Sequence, residues 1–317
     1  MTGIVVARGL DMHFGDVCAL DGVDLELTSG VTGIVGANGA GKSTLFKLIL
    51  GLLEPTNGSL STLGLHPVRD GAEIRTRIGY SPERNVLPDA LAADEFVRHL
   101  AEVRGLPRGE ARSRASDVLW LVGLGEERFR PLGSMSTGQR QRVKLAQALA
   151  ADPSLILLDE PTDGLDPMQR EQMLELIRDV REHYGIDVLV TSHVLEEVEQ
   201  VCDHVVVLDG GVLRVSGRIS DLAGSGRGVE VELVAVPDRP DAAGEVERLL
   251  ASATGVERLE RDDHRLLVLA DEGVDDDVVF DLCRDAVATS GARLRRMGTR
   301  RVSLEDVIID GAGDELR

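Results

Sequence analysis

The chain has 317 residues, enough for one large domain and a smaller one. Its formal net charge of −20 argues against a nucleic-acid partner, because phosphate backbones are bound by clustered lysine and arginine. Its three cysteines, Cys18, Cys202 and Cys283, lie far apart and in no metal-binding spacing, so we expect free thiols in a reducing compartment.

No stretch of the sequence approaches the roughly 18 consecutive apolar residues that a membrane-spanning helix needs. The first eight residues also lack the charged start and long apolar segment of a signal peptide. We therefore expect a soluble chain, which would reach a membrane only by docking on a partner embedded in it.

The chain begins with two predicted strands, residues 4–10 and 23–27, around a turn at 14–16. Phe14 stands alone in this segment, in a chain with one tryptophan, two tyrosines and five phenylalanines. An exposed ring here could stack on a purine base, or it could belong to a small packed core. The residues alone leave both alternatives open.

A glycine-rich loop is the most informative feature of the sequence. It follows a predicted buried strand at 31–35 and precedes an apolar helix at 45–50. The loop reads Gly36-Ala37-Asn38-Gly39-Ala40-Gly41-Lys42-Ser43-Thr44. In the order strand, loop, helix, this pattern predicts a phosphate cradle made of backbone N–H groups and a helix N-terminus. Lys42 would reach the β- and γ-phosphates, and the hydroxyl of Ser43 would hold Mg²⁺.

A helical segment interrupts the α/β pattern from about residue 90 to 151. Before it, residues 78–83 read as a strand that runs into a loop. The last helix of the insert begins at Ser136-Thr137-Gly138-Gln139, with Ser136 as N-cap and Gln139 at the capping-box position. This N-terminus is either a well-capped helix end or a second anion site.

Two adjacent carboxylates, Asp159 and Glu160, end a predicted buried strand that starts at residue 154. Such a pair is costly at a sheet edge unless it acts on a cation or a water molecule. We expect Asp159 to bind Mg²⁺ through its water shell and Glu160 to polarise an attacking water. A further strand, 187–191, ends at Ser192 and His193.

The motifs, in this order, resemble the nucleotide-binding domain of an ATP-binding cassette (ABC) transporter. The resemblance covers about residues 4–224. It rests on the phosphate loop and on four later segments, which are 135–139 (MSTGQ), 155–160 (LILLDE), 161–166 (PTDGLD) and 191–193 (TSH). The implied fold is an α/β P-loop NTPase domain with a helical insert, and the implied ligands are ATP and Mg²⁺.

The resemblance also implies roles for individual residues. Phe14 would stack on adenine, and His193 would contact the γ-phosphate. Residues Ser136, Thr137, Gly138 and Gln139 would close on the ATP of a partner subunit, and Asp166 would belong to the loop that couples the two sites.

Two positions depart from the family pattern. Residues 135–139 read Met-Ser-Thr-Gly-Gln where Leu-Ser-Gly-Gly-Gln is common, so Thr137 adds a side chain where backbone approaches phosphate. Glu83 stands where the family usually has glutamine. Its carboxylate can ligate Mg²⁺, but it adds a negative charge beside the γ-phosphate.

Residues 225–317 form a second predicted domain after a composition change at 225–228. Its element order, β-α-β-β-α-β, suggests a small α+β ferredoxin-like domain. The ending at 302–307 (VSLEDV) resembles the accessory C-terminal domain of ATPase subunits in exporters of drugs, antibiotics or polysaccharides.

Together these features predict the ATPase subunit of an exporter. It would act as a head-to-tail dimer, or as one of two paired cassettes, on the inner face of the cell membrane through a separate transmembrane permease. The alternative is a soluble ABC ATPase of DNA repair or translation, which the acidic composition disfavours because those relatives bind nucleic acid. The segment 85–92 is the predicted permease-docking surface, since Val86, Leu87 and Leu91 are apolar among turn-forming residues.

Overall fold

The computed structural model describes residues 3–84, 86–222, 227–234, 241–262, 264–270 and 274–301. The chain divides into two compact units, Met1–Ile219 and Ser220–Arg317. The boundary therefore lies a few residues before the position expected from composition, at 224. The predicted linker residues 225–226, the position of Asn85 and the ending at 302–307 lie outside the described residues.

Nine strands and eight α-helices are described in the first unit. The strands are β1 (Val5–Phe14), β2 (Val17–Leu27), β3 (Val31–Val35), β4 (Asn57–Thr62), β5 (Ile78–Ser81), β6 (Leu155–Asp159), β7 (Asp187–Ser192), β8 (His204–Asp209) and β9 (Val212–Arg218). The helices are α1 (Lys42–Ile49), α2 (Gly71–Arg77), α3 (Ala93–Val103), α4 (Arg108–Leu121), α5 (Thr137–Leu149), α6 (Pro167–Tyr184), α7 (Leu195–Val201) and α8 (Ile219–Leu222), the last of which crosses the boundary.

Two sheets organise this unit. An antiparallel sheet has the order β2-β1-β4, and a six-stranded sheet has the order β5-β6-β7-β3-β8-β9, in which only the β8–β9 pairing is antiparallel. Strands β3 and β6 are buried along their whole length, as expected for apolar runs inside a parallel sheet. One apolar cluster packs α1 between the two sheets, and another joins the six-stranded sheet to α3, α4 and α5.

The strand register places the loops that carry the sequence motifs next to one another. Strands β6, β7 and β3 are neighbours, and Val35 pairs with Ser192 while Asp159 pairs with Thr191. Because carboxyl ends of parallel strands share one edge, the segments that follow these strands meet there.

Small residues bring the helices of the insert close together. On α3, Ala93, Val97 and Ala101 are fully buried at a spacing of four residues, and α4 buries Ala111 and Ala115 in the same way. Leu87 is 8% exposed and belongs to this core. The expectation that Leu87 contributes to an exposed docking surface is therefore wrong, whereas Val86 is 80% exposed.

The second unit contains β10 (Arg227–Val234), α9 (Ala242–Ala251), β11 (Val256–Asp262), β12 (Arg265–Ala270), α10 (Asp276–Ser290) and β13 (Arg293–Arg301). Its sheet is antiparallel with the order β11-β12-β10-β13. Both helices contribute to a core with the sheet, which includes Val231, Val246 and Cys283. Among the described residues, no helix has the length and apolar character needed to span a bilayer.

Gly79 of β5 allows α5 to pack directly on the sheet. A Cβ atom at this position would lie 1.9 Å from the carbonyl oxygen of Ala148 in α5. We expect Gly79→Ala to lower the free energy of unfolding by about 1–3 kcal/mol, because backbone must shift to relieve the overlap. Denaturant titration measures this loss. The matched control is Gly109→Ala in α4, where a Cβ meets nothing within 4 Å, so stability should rise slightly. Equal stability of the two variants would contradict the packing argument.

Candidate active site

The glycine-rich loop connects β3 to α1 and needs glycine at three positions. Gly39 and Gly41 have φ angles of +88° and +105°, which side chains rarely allow. A Cβ atom on Gly36 would lie 2.3 Å from the carbonyl oxygen of Leu208. The loop thus holds its backbone close to the sheet and leads directly into the N-terminus of α1.

A cleft of about 310 Å³ opens beside this loop. It is lined by residues from four parts of the chain, which are Ala19, Ala37, Asn38, Gly39, Ala40, Gly41, Lys42, Ser43, Thr44, Glu83, Asp159 and Glu160. The structure therefore brings the two predicted carboxylates and Glu83 to the phosphate loop.

Glu160 lies between two basic side chains at this cleft. Its Oε1 atom is 3.2 Å from Nζ of Lys42, and its Oε2 atom accepts a 2.9 Å hydrogen bond from Nδ1 of His193. Lys42 also donates to the carbonyl oxygen of Gly36. Lys42 and Glu160 are buried, whereas the side chain of His193 is about half exposed. Burial of the oppositely charged Lys42 and Glu160 is costly, and these contacts compensate for the lost hydration.

Two features of Glu160 indicate a functional position. Its φ angle is +48°, a conformation that costs a residue other than glycine of order 1–3 kcal/mol. Its Oε1 atom is buried, yet the contact with Lys42 lacks hydrogen-bond geometry, so this atom has no hydrogen-bond donor among the described residues. Buried acceptors without a donor are uncommon in proteins, and they often mark functional positions.

Thr191 is a site residue that the motif analysis did not assign. Its hydroxyl donates a 2.7 Å hydrogen bond to Oδ1 of Asp159 and accepts a 2.9 Å bond from the backbone N–H of Glu160. One hydroxyl therefore orients the carboxylate of Asp159 and holds the backbone at Glu160. The register of β6 beside β7 could have indicated it, because Thr191 pairs with Asp159 across the sheet.

A buried carboxylate behind the site was also missed. Glu197 on α7 accepts hydrogen bonds from the hydroxyls of Thr162 at 2.7 Å and Ser192 at 3.0 Å, and it forms a 3.0 Å ion pair with Arg170. It joins the segment after Glu160 to the residue before His193. The sequence does not indicate a role for Glu197, because acidic residues are common in the first turn of a helix.

Tyr80 of β5 lies close to the carboxylate of Asp159. Its hydroxyl lies 3.5 Å from Oδ2 of Asp159. Burial, followed by the negative charge of Asp159, raises the pKa of the tyrosine well above its usual range. The phenol therefore stays protonated beside the carboxylate.

The remaining predicted residues do not line the cleft. Phe14 is 47% exposed at the end of β1, which places it on the surface rather than in a core. Ser136 caps α5, accepting from the N–H of Gln139 at 3.3 Å while the Gln139 side chain accepts from the N–H of Ser136 at 3.1 Å. The predicted capping box is confirmed. Thr137 and Gly138 follow in the first turn of α5.

The residues at the cleft fit a nucleoside triphosphate. The tight glycine loop, the helix N-terminus and the ammonium of Lys42 match its phosphates, and the hydroxyl and carboxylate oxygens alongside match a hard cation. A P-loop between β3 and α1, two carboxylates at the end of β6 and a helical insert define a nucleotide-binding domain of the cassette type.

Comparison with known proteins agrees with this class. The family model described as "ABC transporter" matches residues 20–163. The daunorubicin/doxorubicin resistance ATP-binding protein DrrA of Streptomyces peucetius is 33% identical over 256 residues, 80% of this chain and 77% of the relative. The chain belongs to the family of ABC transporter ATP-binding proteins and is an ATP hydrolase.

Other relatives show the breadth of the family. An uncharacterized ABC transporter ATP-binding protein of Nostoc sp. is 40% identical over 66% of this chain, and the match spans 62% of the relative's length. A methionine import ATP-binding protein, MetN of Mesorhizobium japonicum, is 33% identical over 81% of this chain and 73% of its own. The ATP-binding cassette MJ0796, solved as a dimer bound to ADP and Pi, aligns with a TM-score of 0.61 and 26% identity, covering 68% of this chain and 99% of its own.

The position of Thr191 leads to a stability test. We expect Thr191→Val to lower the free energy of unfolding by about 1–3 kcal/mol for each of the two buried groups that loses its partner. It should also reduce the ATPase rate, since Asp159 and Glu160 lose their common anchor. Thr191→Ser keeps the hydroxyl and is the matched control. If the valine variant were as stable and active as the serine variant, these hydrogen bonds would contribute neither to stability nor to the ATPase rate.

Proposed function

We propose that this protein hydrolyses MgATP at two composite sites of a head-to-tail dimer and thereby drives export through a separate membrane permease. The observation that carries the proposal is the buried carboxylate of Glu160, which lies between Lys42 and His193 and lines the phosphate-loop cleft. This arrangement places a base beside a phosphate cradle, as phosphoryl transfer to water requires.

The cleft residues divide into phosphate-binding and metal-binding groups. The backbone of residues 36–44 and the Lys42 ammonium bind the phosphates of ATP. Ser43, Asp159 and Glu83 hold Mg²⁺, because their oxygens are the ligands this ion prefers. The ion, when bound, neutralises charge that develops on the phosphate oxygens.

Glu160 is the general base. Glu160 lines the cleft beside the phosphate loop, so its carboxylate is placed to take the proton of the attacking water. His193 holds the Oε2 atom of this carboxylate and, being half exposed, can also reach toward the γ-phosphate. Lys42 faces both the base and the phosphate loop, so it stabilises negative charge on either side of the reacting water.

The second half of each site comes from another subunit. Ser136, Thr137, Gly138 and Gln139 begin a capped helix and do not line the cleft of their own chain. They are therefore available to bind the γ-phosphate of ATP held by a partner, as a second copy or a paired cassette would present it. The dimeric cassette MJ0796 supports this assembly. Exposed Phe14 stacks on adenine.

Export rests on two observations. The relative DrrA carries the name of a drug-resistance ATP-binding protein, and the chain ending resembles accessory domains of exporters. MetN, which is named as an import protein, has the same 33% identity to this chain as DrrA. Similarity of the cassette therefore does not indicate the direction of transport. The net charge of −20 disfavours a repair or translation role and any nucleic-acid partner. The protein would work at the inner face of the cell membrane, bound to its permease.

Removal of the proposed base tests the catalytic assignment. We expect Glu160→Gln to lower kcat by about 10²–10⁴-fold, the usual contribution of general-base catalysis. ATP affinity should stay the same or rise, since Lys42 loses the carboxylate that competes with phosphate. Steady-state hydrolysis and equilibrium binding of ATP measure the two effects. Normal turnover in this variant would rule out the assignment.

The same variant tests the composite site. With ATP bound and uncleaved, Glu160→Gln should elute as a dimer in gel filtration. Lys42→Ala is the control, because it weakens phosphate binding at the same cleft. If Lys42→Ala dimerises equally well with ATP, the nucleotide does not bridge the two subunits and the head-to-tail model is wrong.

Val86 and Leu91 are the remaining candidates for permease contact on the predicted segment. Leu91 is 38% exposed. We expect Val86→Asp to keep ATPase activity in solution but to abolish recruitment to membranes that contain the permease, since a charge would be buried at the interface. Co-sedimentation with those membranes measures recruitment. Val278→Asp, at an exposed valine of the second unit, is the matched control. Unchanged recruitment of the Val86 variant would place the docking surface elsewhere.

A further inference from the structure

Lys144 is a buried cation for which the hydrolysis mechanism has no role. It is one of three lysines in the chain, and it lies in the middle of α5 with an exposed fraction of only 1%. Its Nζ atom donates a 3.0 Å hydrogen bond to the backbone carbonyl oxygen of Glu83. A fully buried ammonium is costly, so its surroundings must compensate for the lost hydration.

Lys144 belongs to a row of polar residues on one face of α5. Gln141, Lys144 and Gln147 are spaced by three residues, so they lie above one another along the helix. Each donates to a backbone carbonyl oxygen outside the helix, namely Asp163 at 3.0 Å, Glu83 at 3.0 Å and Tyr80 at 3.2 Å. Helix α5, which Ser136 caps, is thereby joined to the end of β5, to the Glu83 loop and to the loop after Glu160.

The charges around Lys144 are those of the active site. Burial lowers the pKa of the ammonium, while the negative charges of Asp159, Asp163 and Glu83 act in the opposite direction and favour its charged form. Two of these carboxylates, Asp159 and Glu83, line the cleft beside the phosphate loop. Lys144 is not among the residues that line the cleft, so its positive charge acts on these carboxylates from outside the cleft.

We propose that Lys144 is a positioning residue of the ATPase site, which holds the Glu83 loop on α5 and offsets the negative charge that Glu83 brings to the cleft. The proposal rests on the proposed function, since it concerns the carboxylate assigned there to Mg²⁺. A glutamine in place of Glu83 would need less of this offsetting charge, which would then act on Asp159 and Asp163 alone. Lys144 therefore allows this chain to have a carboxylate where the family usually has an amide.

The test is a double-mutant cycle with Lys144→Met and Glu83→Gln. ATP binding is measured by calorimetry without Mg²⁺, where repulsion between Glu83 and the phosphates is greatest, and again across a Mg²⁺ titration. In the Glu83 background, Lys144→Met should weaken metal-free ATP binding about tenfold, within the range of couplings between neighbouring residues. In the Glu83→Gln background, the same substitution should weaken it by no more than about twofold.

Two further variants sharpen the result. Lys144→Arg keeps the charge and should retain more affinity than Lys144→Met. Lys47→Met removes an exposed lysine of α1 with the same change in formal charge, and it should leave ATP binding close to the wild type. Glu83→Gln alone should tighten metal-free ATP binding and shift the Mg²⁺ concentration for half-maximal binding, which tests the proposal even if Lys144→Met does not fold.

An equal loss on Lys144→Met in both backgrounds would overturn the proposed charge compensation, and unchanged binding in all variants would overturn the proposal as a whole. These outcomes differ from failure of the proposed function. In that case the wild-type protein would not bind ATP with dependence on Lys42, or Glu160→Gln would hydrolyse ATP normally.

Discussion

A carboxylate withdrawn from water and held between two basic groups is the interaction on which this molecule depends. Burial of Glu160 would be prohibitive without Lys42 on one oxygen and His193 on the other. The pair stays in place because Lys42 is itself fixed by the carbonyl group of Gly36. The arrangement leaves one carboxylate oxygen buried with the ion pair to Lys42 but without a hydrogen-bond donor among the described residues.

The parallel sheet sets the geometry of this interaction. Strands β6, β7 and β3 lie side by side, and their register places Asp159 opposite Thr191 and Val35 opposite Ser192. The phosphate loop lies more than a hundred residues before the two acids, and His193 lies 33 residues after Glu160, yet all of them lie at the ends of neighbouring strands. A slip of one residue in this register would turn the site residues to the other face of the sheet.

Helix α5 links this edge to the surface that would meet a second subunit. Its first turn carries the capped Ser136 motif, and its polar row contacts three segments at the sheet edge. Gly79 lets the helix approach β5 closely, so the backbones of the helix and the strand are in direct contact. The position of the Ser136 motif is therefore coupled to the position of Glu83 and of the loop after Glu160.

The sequence alone determined the phosphate loop, the strand that ends in two acids, the capping box and most of the strands and helices. These are local signals, because glycine, capping residues and apolar periodicity act on the nearest few residues of the chain. Only the tertiary structure decided that Thr191 joins the Asp159 carboxylate to the backbone of Glu160, that Leu87 is buried while Val86 is exposed, and that Lys144 contacts Glu83. These facts depend on contacts between residues distant in the chain, and the cost of burying a charge or an apolar side chain is set by whatever the fold places around it.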